Sequence, residues 1–264
     1  MTLEEFVEKL VERLEKESIT IFTGAGLSTA SGIKDFRGKN GLYKESNDVE
    51  TKLGKPYFIS YPASFYTFFV DNLVCTGIKP NIAHKMIADL ENEGYLNGVI
   101  TQNIDGLDRD AGTKNVIEIH GNAQKFYCSK CHRDFPMEKY IDPDVIPPVC
   151  GYKYSDGSTC NGIIRPDIVL YGEAPDFDKL NMAEECILKS KTVLVMGSSL
   201  LVAPACNLIQ YFVNSCHYDQ SKKLFIVNMG ETPFDYRDGV YKYDGDIIKF
   251  TEEFNKARIK RLTK

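Results

Sequence analysis

Apolar positions along the chain repeat with two periods. Leu3, Phe6, Val7, Leu10, Val11 and Leu14 recur at helical spacing, which predicts an amphipathic helix near the start. The next stretch, "SITIFT" at 18–23, is rich in β-branched residues and reads as a buried strand. The same grammar returns in "NGVITQN" at 97–103, "NVIEIHG" at 115–121, "KTVLVMGSS" at 191–199 and "KLFIVNMG" at 222–230. Each run is short, continuous in apolar character and ends in small or polar residues. Helical patterns, for example at 81–93 and 179–190, fill the gaps. Apolar strands separated by helices predict an α/β chain with a parallel sheet covered on both faces. Such sheets bind ligands beyond the carboxyl ends of their strands, where these polar tails lie.

Two stretches break the pattern. Residues 40–75 carry many aromatics, among them Tyr43, Tyr57, Phe58, Tyr61, Phe65, Tyr66, Phe68 and Phe69, without strand grammar. They predict a small helical module. Residues 124–162 carry four cysteines, several prolines and glycines, and little apolar periodicity. Both stretches read as insertions between strands of the larger sheet.

Composition narrows the function. The chain has 264 residues, of which 43% are hydrophobic and 26% charged, an ordinary globular balance that excludes disorder. A formal net charge of -5 offers no basic footprint, so no direct contact with nucleic acid is expected. The one basic run, "KARIKRLTK" at 256–264, reads as a solvated helix end. The acidic, amphipathic start "MTLEEFVEKLVERLEKE" has no apolar core of a secretory signal. No stretch reaches the ~20 apolar residues of a membrane span. The expectation is therefore a cytoplasmic chain, and a reducing compartment favours metal binding or free thiols for its eight cysteines.

Cys128 and Cys131 enclose two residues, Cys131 and Cys150 enclose 18, and Cys150 and Cys160 enclose nine. The first pair and the long gap match a zinc ribbon; the second pair is wider than usual and holds the loop "GYKYSDGST". Four thiolates close a tetrahedral sphere and leave no position for water, so one structural zinc is expected. His120 is then not needed as a ligand. It ends the strand "NVIEIHG", on the side where ligands bind. His132 lies inside the cysteine-rich stretch and is an alternative fourth ligand or an exposed loop residue.

The loop "TGAGLSTASGIKDFRG", 23–38, follows the first strand directly. Gly24 and Gly26 suit a close approach of backbone to a pyrophosphate, with a helix N-terminus expected near Ser28. Asp35, Phe36 and Arg37 add an acid, an aromatic and a guanidinium, which suit a charged heteroaromatic ring and a phosphate.

"GAGLSTASGIKDFRG", "TQNIDGLDRDAG", "IEIHG", the four cysteines, "GIIRPDIVLYGE" and "GSSLLVAPA" occur in the order found in sirtuins, the NAD-dependent protein lysine deacylases, which the chain resembles over roughly residues 20–230. Asp108 departs from the pattern, standing where the family commonly has histidine. The resemblance implies a Rossmann-like NAD-binding domain (1–38, 76–123 and 163–264) with an inserted small domain made of the helical module (39–75) and the zinc ribbon (124–162). It implies a nicotinamide pocket of Ala25, Ile33, Asp35, Phe36, Asn103, Ile104 and Asp105, with Gly24, Gly26, Ser28, Arg37 and Gln102 on ribose and phosphates. Gly197, Ser198, Ser199 and Asn228 would hold the adenosine half, with Asp244 further along the tail. Zinc would sit on Cys128, Cys131, Cys150 and Cys160. Val169, Leu170, Tyr171, Gly172 and Glu173, within "DIVLYGE", would pair with an extended acyl-lysine peptide as an added strand.

The implied reaction moves the acyl group from lysine to ADP-ribose and releases nicotinamide. His120 would be the general base and Asn103 would orient ribose and a water. An imidazole with an ordinary pKa of ~6.5 is largely neutral near pH 7 and able to accept a proton. ADP-ribosyl transfer or NAD hydrolysis at the same site are the alternatives, and a monomer is expected. No arginine occurs between Arg37 and Arg109, which leaves the helical module without a partner for an acidic acyl group. Deacetylation is therefore expected, with an aromatic tunnel around Phe65, Phe68 and Phe69 able to admit longer chains.

Overall fold

The structure, a computed structural model, describes residues 1–36, 38, 41–45, 48–137 and 146–262. Helix α1 (Leu3–Leu14) opens on a capping box. The Thr2 hydroxyl accepts the Glu5 amide at 3.2 Å, while the Glu5 carboxylate accepts the Thr2 amide at 3.0 Å. Its apolar stripe, Phe6, Val7, Leu10, Val11 and Leu14, is fully buried. Strand β1 (Ile19–Thr23) follows and is buried at every position.

Four short helices come next: α2 (Leu42–Glu45), α3 (Val49–Lys52), α4 (Lys55–Ser60) and α5 (Pro62–Leu73). Then the α/β alternation resumes with α6 (Ile82–Asn92), β2 (Leu96–Thr101), α7 (Leu107–Asp110) and β3 (Val116–Glu118). The cysteine-rich stretch is framed by β4 (Gly121–Cys128), β5 (Asp134–Pro136) and β6 (Ile164–Ile168). The remainder is α8 (Phe177–Lys189), β7 (Thr192–Met196), α9 (Ala205–Tyr218), β8 (Lys223–Val227), β9 (Val240–Tyr243) and α10 (Ile247–Leu262).

Six strands form one parallel sheet in the order β3-β2-β1-β7-β8-β9. Alternate side chains face opposite layers. Ile19, Ile21, Leu194, Met196, Phe225 and Val227 pack on one side with α1, α6 and α10. Phe22, Val193, Val195, Leu224 and Ile226 pack on the other with α8 and α9. Two filled faces explain why these strands carry no polar alternation. The strand order reverses between β1 and β7, and a sheet with such a reversal opens a crevice at the carboxyl ends of those strands.

The smaller unit has its own core. An antiparallel sheet in the order β5-β4-β6 packs Ala123, Phe126, Ile164 and Ile168 against Phe58, Phe65, Tyr66 and Phe69 of α4 and α5. Strand β4 starts at Gly121, directly after His120. Gly121 has φ +84°, and a Cβ there would lie 2.0 Å from the Asp167 carbonyl oxygen, so only glycine lets the chain leave the parallel sheet at this point.

Three expectations change. The helix expected near Ser28 is a pair of 3-10 turns, Ala25–Leu27 and Thr29–Ser31. The basic run near the end of the chain is not simply solvated. Arg258 is buried and pairs with Glu93, and with Asp89 at 3.6 Å, while Arg261 reaches Glu15 at 2.6 Å; the run thus ties α10 to α6 and α1. Finally, β9 adds a sixth parallel strand on the sheet edge, where its "VYKY" residues are only half-buried.

Candidate active site

A cavity of about 410 Å³ opens beyond the carboxyl ends of the parallel strands, at the crevice between β1 and β7. The turn after β1 supplies Gly24, Ala25 and Gly26, the loop beyond it Asp35 and Phe36, and the turn after β2 Gln102, Asn103 and Ile104. His120 comes from the end of β3, Val169 to Glu173 from the segment after β6, Gly197, Ser198 and Ser199 from the turn after β7, and Asn228 from the end of β8. Six loops far apart in sequence therefore share one wall. Leu53, Leu73, Ile168, Pro175, Val202, Ala203, Pro204, Met229 and Glu231 also line it and were not singled out from sequence. "GSSLLVAPA" contained three of them, and their signal was position alone.

The glycines also meet a packing need within the fold. A Cβ on Gly24 would lie 2.7 Å from the Gly197 carbonyl oxygen, and a Cβ on Gly26 would lie 2.8 Å from Gly197 Cα. Glycine is needed so that the turns after β1 and β7 can touch, and that contact forms the cavity floor.

His120 is half-buried, and its Nδ1 lies 3.1 Å from the Gln102 carbonyl oxygen. A carbonyl only accepts, so Nδ1 carries the proton and Nε2 holds a free lone pair. Burial pulls the imidazole pKa below its ordinary value, and the hydrogen bond to Gln102 offsets this only in part. The side chain is thus a neutral base of fixed tautomer. Gln102 in turn donates from Nε2 to Ser198 Oγ at 2.7 Å, which couples the turns after β2 and β7.

Asn103 is buried, and its Nδ2 donates to the Gly24 carbonyl at 3.1 Å and to Ser28 Oγ at 3.3 Å. Its amide N–H donates to Thr101 Oγ1 at 3.0 Å. With the nitrogen committed, Oδ1 is the atom left to serve the cavity. Ser28, Ile33 and Asp105 do not line the cavity; Ser28 and Asp105 lie beneath it as supports. Ser28 Oγ donates to Asp105 Oδ2 at 2.6 Å, and the Leu107 amide donates to Asp105 Oδ1 at 2.9 Å. Even so, burial raises the Asp105 pKa.

His84, unremarked in sequence, sits under this pair. Its Nδ1 accepts the Asn81 amide at 3.3 Å, so Nε2–H faces Ser28 Oγ at 3.5 Å, and burial lowers its pKa to about 4. The signal was available in "PNIAH", where Asn81 and His84 form the capping box of α6. Asp108 lies deeper still. Burial pushes its carboxyl up to about 7, and its Oδ1 finds no hydrogen-bond partner.

Asn228 donates from Nδ2 to the Met229 carbonyl at 3.0 Å. Asp244 stands outside the cavity wall and accepts the Gly230 amide at 2.9 Å, which shapes the 228–230 loop. Arg37 lies outside the described residues. Backbone bonds already engage Val169 with the His120 carbonyl, and Tyr171 with Leu53 and Lys55. An added peptide strand is limited to the groups these bonds leave.

The aromatic tunnel is not there. Phe65 and Phe69 are fully buried, stacked on each other at 6.1 Å, and Phe68 lies against Lys52. None of the three lines the cavity, whose apolar lining on the side of the inserted unit includes Leu53, Leu73, Ile104 and Ile168. These phenylalanines are the core of the module.

The sulfurs of Cys128, Cys131, Cys150 and Cys160 all lie within 4.8 Å of one another, with Cys128–Cys160 and Cys131–Cys150 each at 3.7 Å. Zinc–sulfur bonds of about 2.3 Å in a tetrahedron require sulfurs about 3.8 Å apart, so the set fits zinc. The amides of Lys130 and Cys131 point at Cys128 Sγ from 3.4 and 3.5 Å, as thiolate acceptors require. His132 is not part of the cluster; its ring stacks on Tyr127.

A parallel doubly wound sheet, a crevice at its switch point, a neutral half-buried histidine and a closed cysteine cluster define a nucleotide-dependent enzyme with a structural metal. The Sir2 family model matches residues 24–204, and the chain belongs to that family. It is 40% identical over 255 residues to the NAD-dependent protein deacetylase of Thermotoga maritima, covering 95% of this chain and 96% of that one. It is 42% identical over 221 residues to the enzyme of the same description from Staphylococcus aureus, covering 82% and 84%. Among solved structures, a Sir2 protein with p53 peptide and NAD+ has a TM-score of 0.81 at 38% identity, covering 97% of this chain and 98% of that one. A Sir2 protein bound to acetylated peptide has a TM-score of 0.79 at 35% identity, covering 95% and 98%.

Proposed function

We infer that the chain is an NAD-dependent protein lysine deacetylase. The observation that carries this reading is His120, which lines the same cavity as the turns after β1, β2 and β7 while its Nδ1 is engaged by Gln102, leaving Nε2 as the accepting nitrogen. NAD would supply an anomeric carbon carrying nicotinamide as leaving group; the acetyl oxygen of the substrate lysine would displace it there, and a ribose hydroxyl would then take the acetyl group, with a water releasing the free lysine. Gly24, Ala25 and Gly26 with Gln102 bound its ribose and phosphates, Asp35, Phe36, Asn103 and Ile104 its nicotinamide, and Gly197, Ser198, Ser199 and Asn228 its adenosine. Asn103 Oδ1 orients the ribose, and Ser28 and Asp105 fix that side chain from below. His120 Nε2 takes the proton of a ribose hydroxyl, and the bond from Nδ1 to Gln102 keeps the ring in the accepting tautomer. Val169 to Glu173 bound the peptide. The closed cysteine cluster holds its zinc for structure and takes no part in the reaction.

The division of labour follows the two cores. Residues 1–38, 76–123 and 163–264 hold NAD, while 39–75 and 124–162 frame the path of the acyl-lysine. A single chain supplies every wall, which supports a monomer as the working unit. The small apolar wall of Leu53, Leu73, Ile104 and Ile168 favours acetyl over long acyl groups. The experiment is a nicotinamide-release assay with and without acetyl-lysine peptide. Release that depends on peptide supports deacetylation; peptide-independent release with ADP-ribose left on protein would assign ADP-ribosyl transfer instead.

A further inference from the structure

We propose that Arg165 and Glu173 act as a pair of positioning residues for the acyl-lysine substrate, holding the 168–173 turn in the shape that receives the peptide. The proposal rests on the deacetylase reading above and assigns Glu173 a supporting task in place of peptide contact.

Arg165 stands on β6 and is only 6% exposed. Its Nη1 and Nη2 donate to the two Glu173 oxygens at 2.7 and 2.9 Å, a bidentate fork that fixes both side chains in one plane. The same Nη2 donates to the Ile168 carbonyl at 2.8 Å. Glu173 Oε2 also accepts the Leu170 amide at 3.1 Å, and the Glu173 amide donates to the Leu170 carbonyl at 2.9 Å. One ion pair thus closes the turn from both ends. Burial opposes ionisation of Glu173, but the Arg165 hydrogen bonds and charge, the Leu170 amide and the Lys55 charge together outweigh it and hold the carboxyl below its ordinary pKa.

The guanidinium is itself seated between the two inserted modules. It lies 5.3 Å from the Phe58 ring of α4 and 5.6 Å from the Tyr127 ring of β4. The turn is pinned at two further points: Val169 donates to the His120 carbonyl at 3.0 Å and Tyr171 to the Leu53 carbonyl at 3.0 Å. Those bonds fix where the strand runs. They do not fix Leu170, which lines the cavity and whose amide is held by Glu173. A loosened pair should therefore disturb the peptide side of the cavity and leave the turns after β1, β2 and β7, on the NAD side, unchanged.

The test is a double-mutant cycle of Arg165→Met and Glu173→Gln in the full chain, reading KM for an acetyl-lysine peptide, KM for NAD and hydrogen exchange at the Leu170 amide. Each single variant is expected to raise peptide KM about tenfold or more with NAD KM within about twofold, and the double variant to cost no more than the worse single. Arg165→Lys, which keeps the charge but loses the fork, should recover part of the loss. Leu170 should exchange faster in every variant. Additive losses, an equal rise in NAD KM, or a peptide effect without faster exchange at Leu170 would each overturn the proposal, the last assigning Glu173 to direct contact. Should Arg165→Met fail to fold, Glu173→Gln with the exchange measurement decides alone. A wild-type chain that released no nicotinamide with peptide would sink the deacetylase reading, while exchange at Leu170 would still report on the ion pair.

Discussion

His120 reads as a base in the sequence because it ends an apolar run at a strand's ligand side, but its tautomer could not be read there. The hydrogen bond from Nδ1 to Gln102 decides it, and that partner comes from a different strand. His120→Ala should lower deacetylation by ~100-fold to 10,000-fold, the usual effect of removing a general base, with NAD affinity and melting temperature nearly unchanged. Near-normal turnover would refute the role. Because burial lowers the His120 pKa, the neutral form persists to more acid pH than for a free imidazole. The acid limb of kcat/KM should therefore lie below pH 6.5, the ordinary value for the side chain.

Asp108 shows what a motif conceals. In "NIDGLDRDAG" it is one acid among three, yet the fold buries it under Thr23 and Thr101, with the Asp105 and Glu118 carboxylates nearby and Arg109 and Lys125 paired to Glu118. Its carboxyl is raised to about 7, against an unfolded value of 3.8. The folded state therefore keeps a proton that the unfolded chain loses, and this contribution, complete below pH 3.8, is lost as pH rises through about 7. Asp108→Asn, neutral at all pH, should gain melting temperature over the wild type at pH 8 relative to pH 5. Equal differences at the two pH values would contradict the assignment.

At the scale of elements, the five buried strands and the flanking helices were legible because burial on both faces leaves a continuous apolar run. Strand β9 was not, since an edge position buries "VYKY" only halfway and asks for no such run. The helical module was legible as helical, but not which of its aromatics face the ligand; Phe65 and Phe69 turn into their own core, and Leu53 and Leu73 line the cavity. Periodicity gives a face, and only packing says what the face meets. The cysteine spacing was informative because zinc geometry is strict, and the fold brings all four sulfurs within 4.8 Å of one another. The protein purified without added metal should contain one zinc per chain by elemental analysis, and Cys128→Ser with Cys131→Ser should abolish it. Zinc that persists in that double variant would contradict the ligand set.

For the whole molecule, the order of strands matters more than any single motif. The reversal between β1 and β7 brings loops from the first and last thirds of the chain to one crevice, and the inserted unit supplies part of its wall. That wall includes apolar Leu53 and Leu73, and the helical module has no arginine. On one peptide, acetyl-lysine should therefore exceed myristoyl-lysine in kcat/KM, and succinyl-lysine should be turned over negligibly, since its carboxylate would be buried without a partner. A preference for succinyl would refute this account of the pocket.

With His120 as base, the crevice is expected to transfer an acetyl group from lysine to ADP-ribose. Mass spectrometry of the products from NAD and an acetyl-lysine peptide tests it most directly. Nicotinamide, deacetylated peptide and O-acetyl-ADP-ribose should appear in equal amounts, all three lost together in His120→Ala. Free acetate with intact NAD, or ADP-ribose attached to protein while the peptide stays acetylated, would contradict it.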